Sequence, residues 1–120
     1  MLDTKFVFLI PAYNCKNSVN KTLFSMFAQS YDNWRAIIID DVSNDGTSEF
    51  IKNIVTRCGF SDKVTVKRRE IKFGEVRNTV EEVFNHIEDE EVVVRLDAGD
   101  WLTENDCPIV TGKQIGRAHV

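Results

Sequence analysis

Short apolar runs alternate along the chain with segments in which apolar side chains recur every three or four positions. The runs are Phe6 to Ile10, Ile37 to Ile39, Val64 to Val66, and Val92 to Val94 with Leu96. Runs of this length rich in β-branched residues are typical of buried strands. Helical spacing of the apolar residues is found in Val19 to Phe27, Phe50 to Val55 and Val76 to Ile87. The alternation predicts an α/β fold with a mostly parallel sheet.

Several residues predict where these elements begin and end. Pro11 is expected to end the first strand, because it has no N–H to donate to a neighbouring strand. Asn17 or Ser18 can cap the first helix, which we expect to end near Gln29. Gly59 is a suitable stop for the second helix.

The second apolar run leads directly into two carboxylates. Asp40 and Asp41 are followed by a turn rich in Ser, Asn, Asp and Gly that ends at Thr47. Neither carboxylate can enter an apolar core without a partner, so both are expected to face a cleft. A right-handed crossover would bring Pro11 to Asn14 beside them, at the sheet edge where ligands bind in α/β folds. The alternative is that both residues only cap the following helix.

The fourth run also ends in acidic residues, Asp97 and Asp100, with Gly99 between them. Carboxylates suit Mg²⁺ or Mn²⁺, which proteins commonly hold together with substrate phosphates. The alternative is a helix cap or an acidic loop. Arg77 is predicted in the first turn of the helix after Gly74, where a phosphate could bind, although an exposed surface arginine is the simpler interpretation.

Two charged runs are interpreted as solvent-exposed. These are the basic run Lys67 to Arg69 and the acidic turn Glu88 to Glu91. Neither is given a role in ligand binding.

Composition narrows the choice of function. The 120 residues carry a net charge of −4, which gives no electrostatic case for binding nucleic acid or an anionic membrane. Cys15, Cys58 and Cys107 are widely spaced and odd in number, so we interpret them as reduced thiols of a cytoplasmic protein. The run Phe6 to Ile10 is too short to span a bilayer or to form a signal peptide.

Taken in order, these motifs closely resemble the family 2 glycosyltransferases, inverting enzymes with the GT-A nucleotide-sugar-binding fold. The resemblance covers roughly residues 5 to 105. It is carried by Ile10 to Asn14, Ser25 to Gln29 with Tyr31 and Trp34, Ile37 to Thr47, Gly74 with Arg77 and Asn78, and Leu96 to Leu102. Each motif is weak alone, but the ordered set is specific.

The resemblance implies a hexosyltransferase that uses a nucleotide-diphosphate sugar, with UDP as the expected nucleotide. The implied nucleotide-binding residues are Pro11, Ala12, Tyr13, Asn14, Asp41, Ser43, Arg77 and Asp97. Within this set, Tyr13 would stack near the base, Asp41 would hydrogen-bond it, Ser43 would stabilise the loop and Arg77 would lie near the diphosphate. Asp100, with Asp97 as second candidate, would hold Mn²⁺ or Mg²⁺ in the counterpart of the DXD motif. The acceptor would be an unidentified glycan, lipid or protein, and the full-length protein could work at the cytoplasmic membrane face.

The chain departs from the family pattern at Gly99, where members commonly carry a carboxylate. The loss should weaken a ribose or metal contact, and it leaves an inactive nucleotide-binding relative as an alternative. Restoring the acid with Gly99→Asp is therefore expected to tighten metal-dependent binding.

The second departure is the end of the chain, which stops soon after Trp101. The acceptor half with its general base is expected to follow, so residues 1–113 would hold the donor-binding part and be inactive alone. The final residues IGRAHV are encoded by ATCGGAAGAGCACACGTC, the sequence of a common short-read adapter. We therefore interpret residues 114–120 as a non-native tail and give Arg117 and His119 no functional weight.

Two other functions fit the sequence less well. A nucleotidyltransferase would be expected to carry a Gly-rich phosphate loop after the first strand, and the segment from Pro11 to Asn17 has no glycine. A receiver-like phosphoacceptor domain also places two aspartates after a strand. It would need a third aspartate after the next central strand and a later Lys-Pro pair, both absent here.

Overall fold

The computed structural model describes residues 4–72, 87–88 and 90–99. These residues form a four-stranded sheet in which every pair of neighbours is parallel, in the order β3-β2-β1-β4. The strands are β1 (Phe6–Ala12), β2 (Trp34–Asp40), β3 (Val64–Arg68) and β4 (Val92–Arg95). The predicted parallel α/β fold is confirmed.

Two helices connect the first three strands. They are α1 (Val19–Phe27) and α2 (Thr47–Arg57). Ser18 occupies the N-cap position of α1 as predicted, but its side chain makes no capping hydrogen bond. The helix ends two residues before the predicted Gln29. Gly59 follows α2 with a φ of +79°, a backbone conformation that suits glycine at a helix stop.

Both faces of the sheet are covered in its centre. On one face, Phe8, Ile10 and Ile38 pack with α1 and α2 in the main core. On the other face, Val7, Leu9, Ile37 and Ile39 form a second buried cluster, against which Ile87 and Val93 pack. Burial on both faces explains why the strands are nearly continuous apolar runs.

Pro11 lies inside β1 and does not end it, so that prediction is wrong. The carbonyl of the next residue, Ala12, accepts a hydrogen bond from the Asp41 N–H on the β2 side. Because alternate residues of a parallel strand bond to opposite neighbours, Pro11 faces β4. The pairing with β4 stops at Leu9, so the missing N–H of Pro11 interrupts no ladder.

The two charged runs are not merely solvated. Arg68 belongs to β3 and contacts a buried carboxylate on β2. Glu91 has a side chain only 5% exposed, and its two oxygens accept hydrogen bonds of 2.9 Å from Arg35 Nε and Nη2. The prediction of solvent exposure is therefore wrong for Glu91, whereas Arg68 is exposed as predicted and also contacts the buried carboxylate.

The helix predicted over Val76 to Ile87 falls almost entirely outside the described residues, as do Gly74, Arg77 and Asn78. Asp100 and the predicted non-native tail also lie outside them. Neither described helix combines the length and apolar character required to cross a membrane.

Candidate functional site

A cavity of about 250 Å³ opens where three neighbouring strands end. We call this side of the sheet the carboxyl edge; it is formed by the ends of β1, β2 and β4 at Ala12, Asp40 and Arg95. The cavity is lined by Pro11, Ala12, Tyr13, Cys15, Asp41, Asp97 and Ala98. Ala12 lies directly opposite Asp40 in the register of β1 and β2, which brings the turns after both strands together.

The two adjacent aspartates have different positions. Asp41 lines the cavity, whereas Asp40 is 0% exposed and lies beneath the turn. The expectation that both face a cleft is therefore wrong for Asp40. Successive residues at the end of a strand point to opposite sides, so a pair of neighbours rarely shares one cleft.

Neither aspartate caps α2, and that alternative is also wrong. Gly46 occupies the N-cap position with a φ of +85°. The capping function is performed by Asp45, whose Oδ1 accepts the Thr47 N–H at 3.0 Å. Hydrogen bonds from Thr47 hold the pKa of Asp45 below its usual value.

Ser43 and Asn14 are not part of the cavity lining, but they connect its two turns. Ser43 Oγ accepts the Asn14 N–H at 2.8 Å and donates to Asp40 Oδ1. Asn14 Oδ1 accepts the Asn44 N–H at 2.9 Å. Asn14 and Val42 have φ values of +46° and +65°, so each turn contains a residue in the left-handed region. A β-branched residue such as Val42 is rare there and indicates local strain.

Tyr13 presents an aromatic surface at the cavity. The residue is 47% exposed, and the Lys72 ammonium lies 3.6 Å from the centroid of its ring. An exposed aromatic ring beside a carboxylate such as Asp41 can stack with one flat ligand ring and hydrogen-bond its edge.

On the β4 side, Asp97 contributes the second carboxylate of the lining. Its Oδ1 lies 3.0 Å from Arg95 Nη2, and its side chain is 54% exposed. The backbone then turns at Gly99, whose N–H donates to Thr22 Oγ1 at 2.8 Å. Gly99 has a φ of +101°, and an added Cβ would lie 3.4 Å from Ser18 Oγ. Any side chain at this position is therefore strained, which opposes the gain expected from Gly99→Asp.

The cavity offers a suitable but incomplete set of metal ligands. Asp97 supplies oxygen atoms, the donor type that Mg²⁺ and Mn²⁺ prefer. Among the residues the structure describes, no three His, Cys, Asp or Glu side chains cluster as a metal site. A cation held here would thus depend on oxygens of a ligand or on residues outside the described ranges, such as Asp100.

Sequence reasoning missed Cys15 and Ala98 in the lining. Burial raises the pKa of the Cys15 thiol, so it remains protonated near neutral pH. Its N–H donates to Thr47 Oγ1 at 3.1 Å, which ties the end of the β1 turn to α2. The available signal was that Cys15 directly follows the motif Ile10 to Asn14 and that Ala98 lies inside the motif Leu96 to Leu102. Of the predicted nucleotide-binding residues, the structure brings Pro11, Ala12, Tyr13, Asp41 and Asp97 to one cavity, and Asn14 and Ser43 lie in the adjoining turns outside its lining.

A family model described as glycosyl transferase family 2 matches residues 7–114. The chain belongs to this family. The match extends over the turns after β1 and β2 and over β4 with the following Asp97.

Known relatives and solved structures agree with this assignment. One relative is WfaP of Escherichia coli, a β-1,3-glucosyltransferase named for UDP-Glc and GlcNAc-diphosphoundecaprenol. It is 44% identical to this chain over 46 residues, which are 38% of this chain and 18% of WfaP. The mannosyltransferase PcManGT of Pyrobaculum calidifontis, solved with GDP-Man and Mn²⁺, superposes with a TM-score of 0.75 at 16% identity, covering 85% of this chain and 30% of that one. TarS 1–349 of S. aureus, solved with UDP, gives 0.70 at 19% identity over 84% and 29%. The fold is therefore that of the GT-A glycosyltransferases, and the chain spans less than a third of each of these proteins.

Proposed function

We propose that the cavity at the carboxyl edge binds the nucleotide of a nucleotide-diphosphate sugar, with UDP as the preferred nucleotide. In the complete protein the bound sugar is transferred to an acceptor hydroxyl with inversion at the anomeric carbon. The observation that carries the proposal is the convergence of Tyr13, Asp41 and Asp97, from the ends of three different strands, on one cavity. Ligands bind at this edge in open α/β sheets.

Tyr13 and Asp41 fit the base. The exposed Tyr13 ring offers a stacking surface, and the Asp41 carboxylate can accept a hydrogen bond from an imide N–H. A uracil ring has one such N–H, between its two carbonyl groups. TarS was solved with UDP, which supports this choice, whereas PcManGT was solved with a guanine nucleotide.

Asp97 fits the part of the ligand that carries the diphosphate. Together with Asp100 it would hold Mn²⁺ or Mg²⁺, which supplies positive charge next to the leaving nucleoside diphosphate. Two carboxylates facing two phosphates would otherwise repel the ligand. Arg77 is proposed as a further cation for the diphosphate. The Mn²⁺ present with PcManGT is consistent with this role.

In the reaction, the acceptor oxygen attacks the anomeric carbon from the side opposite the diphosphate. The bond to the diphosphate oxygen breaks, and the hydroxyl proton passes to a general base. Nothing in residues 1–113 is assigned as that base, so we place it in the acceptor half of the protein. The present chain is proposed to bind the donor without turning it over.

The second candidate is a nucleotide-binding relative that has lost catalysis. Gly99 favours it, because family members commonly carry a carboxylate there and the positive φ of this residue disfavours any side chain. Both candidates require nucleotide binding; they differ in whether a divalent cation strengthens it.

Calorimetric titration of the folded chain with UDP and with GDP, each with and without Mn²⁺, tests the proposal. We expect UDP to bind more tightly than GDP and more tightly with Mn²⁺ than without. Asp41→Asn should abolish most of the affinity. The same change at Asp62, which is exposed before β3, should have no effect. Manganese-independent UDP binding would favour the inactive relative, and no binding of either nucleotide would contradict both candidates.

A further inference from the structure

We infer that Asp40 and Arg68 form a positioning pair that holds the base-binding turns in place without contacting the ligand. The inference rests on the proposed function, because it assigns a task relative to the nucleotide site. Asp40 is 0% exposed and is absent from the cavity lining, so it is not placed to contact the ligand.

Asp40 is the centre of a network that reaches both turns. Its Oδ1 accepts the Ser43 N–H at 3.0 Å and the Ser43 hydroxyl. Because the same hydroxyl accepts the Asn14 N–H at 2.8 Å, Asp40 is linked through one side chain to the turn that carries Tyr13. Asp41 follows Asp40 in the chain, so both proposed base contacts are adjacent to the network.

Arg68 contacts the network from β3. In the sheet register it lies directly opposite Asp40. Its Nε is 3.9 Å from Asp40 Oδ2, and its Nη2 donates to the Ser43 carbonyl at 3.0 Å. Within the described part of the chain Oδ2 makes no hydrogen bond, so the guanidinium is the charge that compensates this buried oxygen.

Backbone strain explains why such a network is needed. Val42, between Asp41 and Ser43, has a φ of +65°, and Asn14 has a φ of +46°. Strained backbone persists only where surrounding contacts hold it. Arg68 binds the carbonyl of Ser43 and Asp40 binds its hydroxyl. These two contacts hold the turn in place next to Val42. A site held in its binding geometry before the ligand arrives loses less entropy on binding.

Uridine is the appropriate probe, because it has the base and ribose of UDP but no phosphate. An effect on uridine affinity therefore cannot come from a direct contact between Arg68 and a phosphate. Amide shifts followed by NMR during a uridine titration give the affinity even when binding is weak. Unfolding in urea gives the stability of each variant.

Arg68→Gln is the test variant and Arg35→Gln is its matched control. Both remove an arginine that pairs a carboxylate on the same sheet, but Arg35 pairs Glu91 at the other end of the strands. We expect Arg68→Gln to weaken uridine binding about tenfold, and Arg35→Gln to lower stability with uridine affinity unchanged. If Arg68→Gln does not fold, Ser43→Ala removes the hydroxyl link between Asp40 and Asn14, and it should weaken uridine binding in the same direction.

The outcomes separate the two hypotheses. A wild-type chain that binds neither uridine nor UDP overturns the proposed function. A wild-type chain that binds uridine, with Arg68→Gln or Ser43→Ala binding it equally well, overturns the positioning pair alone. Loss of UDP affinity with uridine affinity intact also overturns it, since Arg68 would then act on the phosphates.

Discussion

Each end of the sheet holds one arginine–carboxylate pair, and the contacts within the two pairs differ. At the amino ends of the strands, Arg35 binds Glu91 through two hydrogen bonds of 2.9 Å, and Lys5 adds a third charge at 4.0 Å. At the carboxyl edge, Arg68 approaches Asp40 only to 3.9 Å and gives its hydrogen bond to the Ser43 carbonyl instead.

The difference indicates that the pair at the amino ends stabilises the fold, whereas the pair at the carboxyl edge serves the proposed binding site. The amino-end pair is fully bonded and next to β4, so it fastens an outer strand to the sheet. The carboxyl-edge pair lies under two turns that contain left-handed residues and beside an open cavity. Strained backbone and the buried Asp40 Oδ2, which makes no hydrogen bond within the described residues, both lie next to the proposed ligand site, as is common at functional sites.

The largest expected effect at the carboxyl edge follows from Asp41→Ala. Loss of a charged acceptor for the base should weaken UDP binding by roughly 2 kcal/mol or more, about thirtyfold, while urea unfolding shows a folded domain. Calorimetry measures the affinity, and Asp62→Ala serves as the exposed control. Unchanged UDP affinity would remove Asp41 from the site.

At the amino end, the expected effect is on stability and depends on pH. Hydrogen bonds from Arg35 lower the pKa of Glu91 to about 2. A lowered pKa stabilises the fold above the unfolded-state value near 4.5 and loses that contribution as pH falls towards 2. The contribution is at most about 3 kcal/mol. Urea unfolding from pH 7 to pH 3 should show a smaller loss for Glu91→Gln than for wild type, and equal losses would disprove the assignment.

Substitution of Tyr13 should affect uridine binding and leave the stability of the fold unchanged, in contrast to substitution of Glu91. Tyr13→Ala removes the stacking surface and should weaken uridine binding by about 1–3 kcal/mol. Tyr13→Phe retains the ring and should bind almost as wild type does. Equal losses in both variants would indicate a role for the hydroxyl group and not for stacking.

Gly99 should give the smallest effect, since strain and charge act in opposite directions. Gly99→Ala and Gly99→Asp both place a side chain at a φ of +101°, and each should lower stability by about 1 kcal/mol. Only Gly99→Asp should gain UDP affinity in the presence of Mn²⁺. Titrations of both variants distinguish the carboxylate from the strain; no gain would mean that the loop does not take part in metal binding.

The sequence predicted the strands, their parallel arrangement and the meeting of two turns at one edge. These features follow from local apolar runs and from the handedness of crossovers, both of which are properties of short segments. Pro11, Ala12, Tyr13 and Asp97 could be predicted at this edge because each follows or ends one of these apolar runs.

The buried position of Asp40 and the cavity-lining position of Asp41 could not be predicted in the same way. It depends on which side of the sheet each residue faces and on Arg68, which is distant in the chain and was interpreted as solvated. The register that sets Arg68 opposite Asp40 is a tertiary property. The effect of Pro11 is a tertiary property as well, because it depends on which neighbouring strand this residue faces.

The most direct measurement is an NMR titration of the isotopically labelled chain with UDP and Mg²⁺, which avoids the line broadening caused by Mn²⁺. We predict amide shift changes in residues 12–15, 41–44 and 97–99, with Lys5, Arg35 and Glu91 unaffected. Shift changes centred on the amino ends of the strands, or none in a folded chain at millimolar UDP, would contradict a nucleotide site at the carboxyl edge.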